Sequence, residues 1–204
     1  MENFIVYVEK RPGFNVEAKR VQSELVKFLG IKNIENVRVL NRYDVAGITT
    51  AVYEKALKTV FSEPQCDFVY EEEKPNASGF IFMTSFLRGQ YDQRADSCVQ
   101  CIKTIDSHAT PVVKASKVYI IEGQLEQMDR ERIKKHLINP IESEEVALDA
   151  THLLDATYPV PEDVKVLEGF NSYSQEALET FRKANGLAMS LEDLTYFQSY
   201  FQSE

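Results

Sequence analysis

Apolar residues recur along the first part of the chain at spacings that alternate between those of strands and those of helices. The run Phe4 to Glu9 is apolar and rich in β-forming residues, which predicts a strand. Ala18, Val21, Leu25 and Phe28 follow at the spacing of one helix face. By the same reasoning the next elements are a strand, a helix and a strand, over Val37 to Leu40, Tyr53 to Phe61 and Phe68 to Tyr70.

The same order of elements begins again after a polar connection at Glu71 to Asn76. The predicted elements are a strand over Phe80 to Leu87, a helix with the stripe Ala95, Cys98, Ile102 and Ile105, a strand over Val118 to Ile121, and a helix over Leu125 to Ile138. The separation from Gly13 to Pro64 equals that from Gly89 to Pro140, at 51 residues. We interpret this as an internal duplication of about 76 residues. A coincidence between two ordinary α+β units is the alternative.

This order of elements predicts an α+β fold of tandem ferredoxin-like units, with repeats over about 1–75 and 76–148. In each unit both helices would cover one face of a sheet. A pseudo-twofold axis would then pair the two units, so that their exposed sheet faces cover each other.

The remaining residues, 149–204, are expected to form a small and mostly helical linker domain. The range 151–163 contains two prolines and predicts an extended connection. Ser174 is a predicted helix N-cap, and Ser190 with Asp193 resembles a capping box for a last helix. That helix is still periodic where the chain stops, so we expect this chain to be a piece of a longer protein.

The composition excludes several classes of function. The chain has 23 basic and 32 acidic residues among 204, a net charge of −9, with no basic run to attract nucleic acid. No apolar stretch reaches the length of a membrane span, and the first residues lack the pattern of a secretory signal. The three cysteines are an odd number without disulfide-framework spacing, which favours a reducing cytoplasm.

Residues typical of catalytic or metal sites are present but not in functional patterns. Cys98 and Cys101 form a C-x-x-C in the middle of a predicted helix, with no second pair, so a core cysteine is favoured over a redox or zinc site. His108, His136 and His152 lack metal-ligand spacing, and no phosphate-binding glycine loop occurs. We therefore predict no catalytic residue, no metal site and no bound cofactor within this chain.

One strand-to-helix turn is unusually rich in hydrogen-bonding side chains. The candidate residues are Gly89, Gln90, Tyr91, Asp92, Gln93, Arg94, Asp96 and Ser97. One interpretation is a helix start that Asp92 caps and acidic residues stabilise. The other is a docking edge for another domain or an anionic ligand.

The stretch Gly89 to Ser97 resembles a signature of the long, single-chain phosphoribosylformylglycinamidine synthases, although Arg88 stands where that signature has proline. Other segments resemble the same proteins in the same order: Val37 to Asp44, Thr59 to Pro64, Leu137 to Ser143 and Gly186 to Leu194. Together with Gly89 to Ser97, these segments are distributed over nearly the whole chain.

The resemblance implies part of a purine-biosynthesis ligase. The family converts formylglycinamide ribonucleotide to the amidine, with glutamine as amido donor and with ATP and Mg²⁺ bound by other domains. Its amino-terminal domain is similar to two small subunits fused in tandem, followed by a linker, a synthetase and a glutaminase domain. The resemblance thus implies that residues 1–148 and the linker assist assembly and capping of the synthetase site without catalysing the reaction. It also implies that the edge at Gly89 to Ser97 faces the synthetase domain near its substrate site, where Arg94 would pair with a carboxylate or phosphate. Asp92 and Asp96 would then hold the Arg94 guanidinium or cap the helix.

Several alternatives remain open at this point. The expected partners are the synthetase and glutaminase domains of the same chain, and a homodimer of this piece is a further alternative. A stand-alone regulatory module that binds a small molecule between two ferredoxin-like halves is the main competing function. A complete small enzyme is disfavoured because no nucleophile or metal cluster can be identified.

Overall fold

Two long strands form the centre of the computed structural model, β2 (Ile34–Ala46) and β5 (Val112–Gly123), paired antiparallel along almost their whole length. They belong to a six-stranded sheet of order β3-β1-β2-β5-β4-β6, in which all neighbouring strands are antiparallel. The other strands are β1 (Phe4–Lys10), β3 (Asp67–Glu71), β4 (Phe80–Phe86) and β6 (Ser143–Val146).

The structure describes residues 3–71, 76–149, 160 and 163–203. The chain divides into unit 1, Met1–Tyr158, and unit 2, Pro159–Glu204. The helices of unit 1 are α1 (Val16–Lys27), α2 (Thr50–Ala56), which continues as a π-helical turn at Leu57–Phe61, α3 (Gln93–Ile105) and α4 (Gln127–Leu137).

Side chains along each strand of unit 1 point alternately to a face that the helices cover and to a second, apolar face. Helices α2 and α3 pack on one half of the covered face, against strand residues such as Val6 and Tyr43. Helices α1 and α4 pack on the other half, against residues such as Val39 and Tyr119. The second face buries a separate cluster of strand residues, Tyr7, Leu40, Met83, Val118 and Ile120.

The expectation of a mixed α+β fold is confirmed, but the expectation that two sheet faces cover each other is wrong. Strands β2 and β5 instead pair with each other and join the two halves into one sheet. Each would otherwise be an edge strand with unpaired backbone N–H and C=O groups, and the pairing provides hydrogen-bond partners for those groups.

Three local expectations also need correction. Strand β6 was not predicted, because Ser143–Val146 is short, polar and at the sheet edge. Phe28 was assigned to the buried stripe of the first helix, yet it is 78% exposed just after α1 ends. The central strands extend well beyond the predicted ranges Val37 to Leu40 and Val118 to Ile121.

The strand registers in the two halves share one numerical offset. Phe4 lies opposite Val45, and Phe80 lies opposite Ile121, so that both partners differ by 76 positions. The glycines that end the central strands have the same offset. A side chain on Gly47 would overlap the carbonyl oxygen of Thr110, and one on Gly123 would overlap that of Asn33, and both glycines have positive φ.

Unit 2 is built around α5 (Gln175–Ala184) and α6 (Leu191–Ser203), preceded by a 3₁₀ turn at Phe170–Ser172. The predicted caps are confirmed: Ser174 accepts a hydrogen bond from the Ala177 amide, and Ser190 and Asp193 exchange bonds as a capping box. The expected connection at 151–163 lies outside the described residues, except for residues 160 and 163.

A fully buried ion pair lies on the second face of the sheet. The Arg42 guanidinium donates to both carboxylate oxygens of Asp44, at 3.0 and 2.6 Å, and to the main-chain oxygen of Leu148 at 2.7 Å. Arg42 is 1% exposed and Asp44 is 2% exposed. This pair therefore connects strand β2 to the chain segment that follows β6.

We expect removal of one member of this pair to destabilise unit 1 strongly. Asp44→Ala leaves the Arg42 charge buried without its carboxylate, and such a change costs about 3–5 kcal/mol of unfolding free energy. Glu24→Ala is the control, because Glu24 is only partly buried and pairs with Arg20 and with His136 at the helix surface. Its expected cost is below about 1 kcal/mol. Urea unfolding measures both, and equal losses in the two variants would contradict this account.

Candidate functional site

The candidate stretch Gly89 to Ser97 forms the turn between β4 and α3 and the first turn of α3. Gly89 has φ +88°, a left-handed conformation that favours glycine. The Leu87 amide donates to the Glu142 oxygen at 2.9 Å, and the Gln90 side chain donates to the Ile141 oxygen at 3.1 Å. The turn is thus attached to the segment that leads into strand β6.

Asp92 fixes the start of α3 to the central strand. One carboxylate oxygen accepts from the Ala95 amide at 2.9 Å, which caps the helix. The other oxygen accepts from the Ala115 amide in β5 at 3.0 Å. The predicted capping role of Asp92 is therefore confirmed, and the same carboxylate also anchors the helix to the sheet.

Asp96 makes local side-chain contacts. Its carboxylate accepts from the Tyr91 hydroxyl and from the Gln100 amide, both at 2.8 Å. The hydrogen bond to Asp96 raises the pKa of the exposed Tyr91. Among the described contacts, Asp92 and Asp96 therefore bond to groups other than the Arg94 guanidinium. Gln93 contributes its main-chain oxygen, which accepts from the Ser97 hydroxyl at 2.8 Å.

The Arg94 side chain remains exposed to solvent, and its guanidinium also reaches a residue of the covered face of the sheet. Its Nη1 donates to the hydroxyl of Tyr43 in β2 at 3.2 Å. Burial raises the pKa of Tyr43, and the positive charge of Arg94 opposes that rise. The Glu17 carboxylate of α1 is close enough to interact electrostatically with Arg94.

A cavity with polar and apolar lining lies beside Arg94, and of its lining residues only Arg94 and Asp92 were among the candidates from the sequence. Its volume is about 140 Å³, and its lining includes Asn41, Thr84, Arg94 and Lys117. A more open groove of about 470 Å³ shares Arg94 and Lys117 with this cavity. Asn41 and Lys117 are polar residues at strand positions that face the helices, and this was the available signal in the sequence. The predicted strands stopped at Leu40 and began at Val118, so each left out one of these two residues.

Lys117 is held by an ion pair across the sheet surface. Its ammonium lies 2.5 Å from the Glu17 carboxylate of α1, and both side chains are about one third exposed. Asn41 and Lys117 lie opposite each other in the central strand pair. The cavity therefore combines residues of β2, β4, β5 and α3, and Glu17 of α1 contacts it only through Lys117.

The cysteine pair has the properties of a core position next to a surface position. Burial raises the pKa of the Cys98 thiol to about 12, so this group is protonated at neutral pH, whereas Cys101 is exposed. Over residues 3–71, 76–149, 160 and 163–203, no group of three or more His, Cys, Asp and Glu side chains is arranged to hold a metal ion. In that part of the chain no helix has the length and apolar character needed to cross a membrane.

Comparison of the chain with models of known protein families and with curated proteins yields no match in either case.

We expect Asp92→Ala to destabilise unit 1, because it removes the helix cap and leaves the Ala115 amide without its acceptor. The expected loss is about 2–3 kcal/mol of unfolding free energy. Asp96→Ala is the control, since it removes an aspartate one turn further along the same helix with only exposed side-chain bonds. Its loss should stay below about 1 kcal/mol. Urea unfolding of both variants is the test, and a smaller effect at position 92 than at position 96 would refute the anchoring role.

Proposed function

We propose that this chain is the amino-terminal, non-catalytic part of a phosphoribosylformylglycinamidine synthase, where it assists assembly and caps the synthetase site. The observation that carries the proposal is the common offset of 76 residues between the two halves of the sheet. A tandem fusion of two similar small subunits requires such an offset. The segments that resemble this family, including Gly89 to Ser97, are the second line of support.

The duplication is supported by more than one pair of strands. In the first half, Val6 of β1 pairs with Glu71 of β3. Adding 76 to both numbers predicts that Phe82 lies opposite residue 147. The observed pairing of the next residue, Met83, with Val146 has the same antiparallel register. The buried helix residues Ala18, Val21 and Leu25 correspond to Ala95, Cys98 and Ile102 at a constant offset of 77. We infer two ferredoxin-like units related by a pseudo-twofold axis. The axis would pass between Asn41 and Lys117, because these two residues are strand partners and their numbers also differ by 76.

The exposed side of the Gly89 to Ser97 stretch is the proposed docking edge for the synthetase domain. Gln90, Tyr91, Gln93 and Ser97 are exposed, while Asp92 fixes the backbone beneath them. Because the backbone is already fixed, docking would have to order only the side chains of this stretch. In this proposal ATP, Mg²⁺ and glutamine are bound by the synthetase and glutaminase domains and not by this chain.

The cavity beside the central strand pair favours a second candidate, a regulatory module that binds a small molecule. Its lining includes Asn41 and Lys117 from the central strands of the two halves and Arg94 from α3. The two functions differ in the size and activity of the native gene product, and a ligand site in the cavity is compatible with either.

The native gene product, captured from its source with an antibody against this chain, tests the proposal. We expect a protein much larger than the 23.4 kDa of this chain, with glutamine- and ATP-dependent conversion of formylglycinamide ribonucleotide to the amidine. The 204-residue chain alone is the control and should release no glutamate from glutamine. A native product of 23.4 kDa without ligase activity would exclude the proposal and favour the regulatory module.

A further inference from the structure

Unit 2 has an open apolar groove of about 610 Å³ on its surface. The groove is formed by α5, α6 and the segments before and between them, and its lining includes Leu167, Phe170, Phe181, Met189, Phe197 and Phe201. In the part of unit 2 that the structure describes, the buried apolar side chains are Leu178 and Leu194. A unit of this size gains little stability from so small a core, so a cover over the groove would add apolar burial that the unit needs.

Helix α6 extends this apolar surface beyond the groove. The rings of Tyr196 and Tyr200 contact those of Phe197 and Phe201, with centroids 6.2 and 5.4 Å apart. All four side chains are between 42% and 70% exposed. Residues four positions apart lie above one another on a helix, so the four rings form two adjacent rows along one side of α6. Because Phe197 and Phe201 also line the groove, the groove and the two rows are one continuous apolar surface.

The extent of this surface is that of a protein–protein contact. An aromatic side chain has roughly 200 Å² of surface, so four half-exposed rings present about 400 Å². Val166 and Leu167, both more than half exposed, enlarge it at the groove. A homodimer contact of standard size buries about 800 Å² per partner, of which roughly 500 Å² is apolar. The apolar area that unit 2 exposes therefore meets what a dimer needs.

The distribution of charge favours a second copy of this chain as the partner. Residues 195–203 of α6 include no charged side chain, although 27% of the whole chain is charged. Beside the groove residue Phe181, the charges of α5 pair with each other, since the Glu179 carboxylate lies 2.8 Å from Arg182 and 3.2 Å from Lys183. Two copies can therefore bring this surface together without like charges in the contact, even though each has a net charge of −9. Aromatic side chains with few charges are also typical of the centre of homodimer contacts.

We propose that unit 2 is the contact surface between two copies of this chain, in which α6 of each copy packs over the groove of the other. The contact is isologous, so that the same surface serves both copies and a twofold axis relates them. The proposal concerns this chain by itself, and its failure would leave the proposed function untouched.

Sedimentation equilibrium of the 204-residue chain, between about 1 and 500 µM, tests whether the dimer forms, because dimerisation depends on concentration by mass action. We expect the mass to rise with concentration from 23.4 kDa towards about twice that value. In a mixture of isotope-labelled and unlabelled chain, we expect intermolecular NOEs between the aromatic rings of α6 and the groove residues Leu167 and Met189.

Three variants locate the contact. Phe201→Asp places a charge in the covered groove and should weaken dimerisation by about tenfold or more. Tyr200→Lys changes the outer row of α6 and should weaken it as well, and it serves if circular dichroism shows that Phe201→Asp disturbs the helix. Phe28→Asp is the matched control, because it makes the same substitution at an exposed phenylalanine of unit 1 and should leave the dimer unchanged. A monomer at every concentration, a dimer that both α6 variants leave intact, or equal weakening by Phe28→Asp would overturn the proposal.

Discussion

The structure of unit 1 depends on the pairing of β2 with β5. Without it, each half would be a three-stranded sheet with an unpaired and largely apolar edge, which is an aggregation hazard. The pairing extends from Ile34 opposite Gly123 to Ala46 opposite Val112. Close backbone contacts at Gly47 and Gly123 limit both ends, because any side chain there would overlap a carbonyl oxygen of the opposite half. The register is thereby fixed, and with it the positions of all four helices of unit 1.

The same pairing explains why polar chemistry collects at the centre of the sheet. Towards the two ends of the central strands, helices from each half cover apolar strand residues such as Val45 and Ile121. Asn41 and Lys117 lie opposite each other between these two clusters. Their residue numbers differ by 76, which is the length of the repeat. Side chains near this point have less apolar surface to pack against. The Glu17–Lys117 ion pair and the Arg94–Tyr43 hydrogen bond satisfy part of the polar surface there.

The sequence predicted most elements because their periodicity is local. The buried stripes of α1 and α3 and the caps at Asp92, Ser174 and Ser190 follow from spacing and residue type. Strand β6 could not be predicted, since four mostly polar residues at a sheet edge carry no periodic signal. The edge-to-edge junction was also missed, because helical and strand patterns specify which face is buried but not which strand edges meet.

The candidate site was predicted in part. The stretch Gly89 to Ser97 was identified from its polar side chains, and the cap at Asp92 follows from its position. The second bond of Asp92, to the Ala115 amide, depends on a strand 23 residues away and has no sequence signal. Asn41 and Lys117 were missed because both predicted strands ended one residue short of them. A polar residue at a helix-facing strand position would have been the clue.

Native-state hydrogen exchange measures most directly whether β2 and β5 make the two halves one cooperative unit. The amides of both strands should exchange only through global unfolding of unit 1. We expect those of β1 and β4 to show the same free energy of opening, since each pairs with one of the central strands. A free energy of opening for β4 and β5 that is well below that for β1 and β2 would show that the second half unfolds by itself, and would contradict the account.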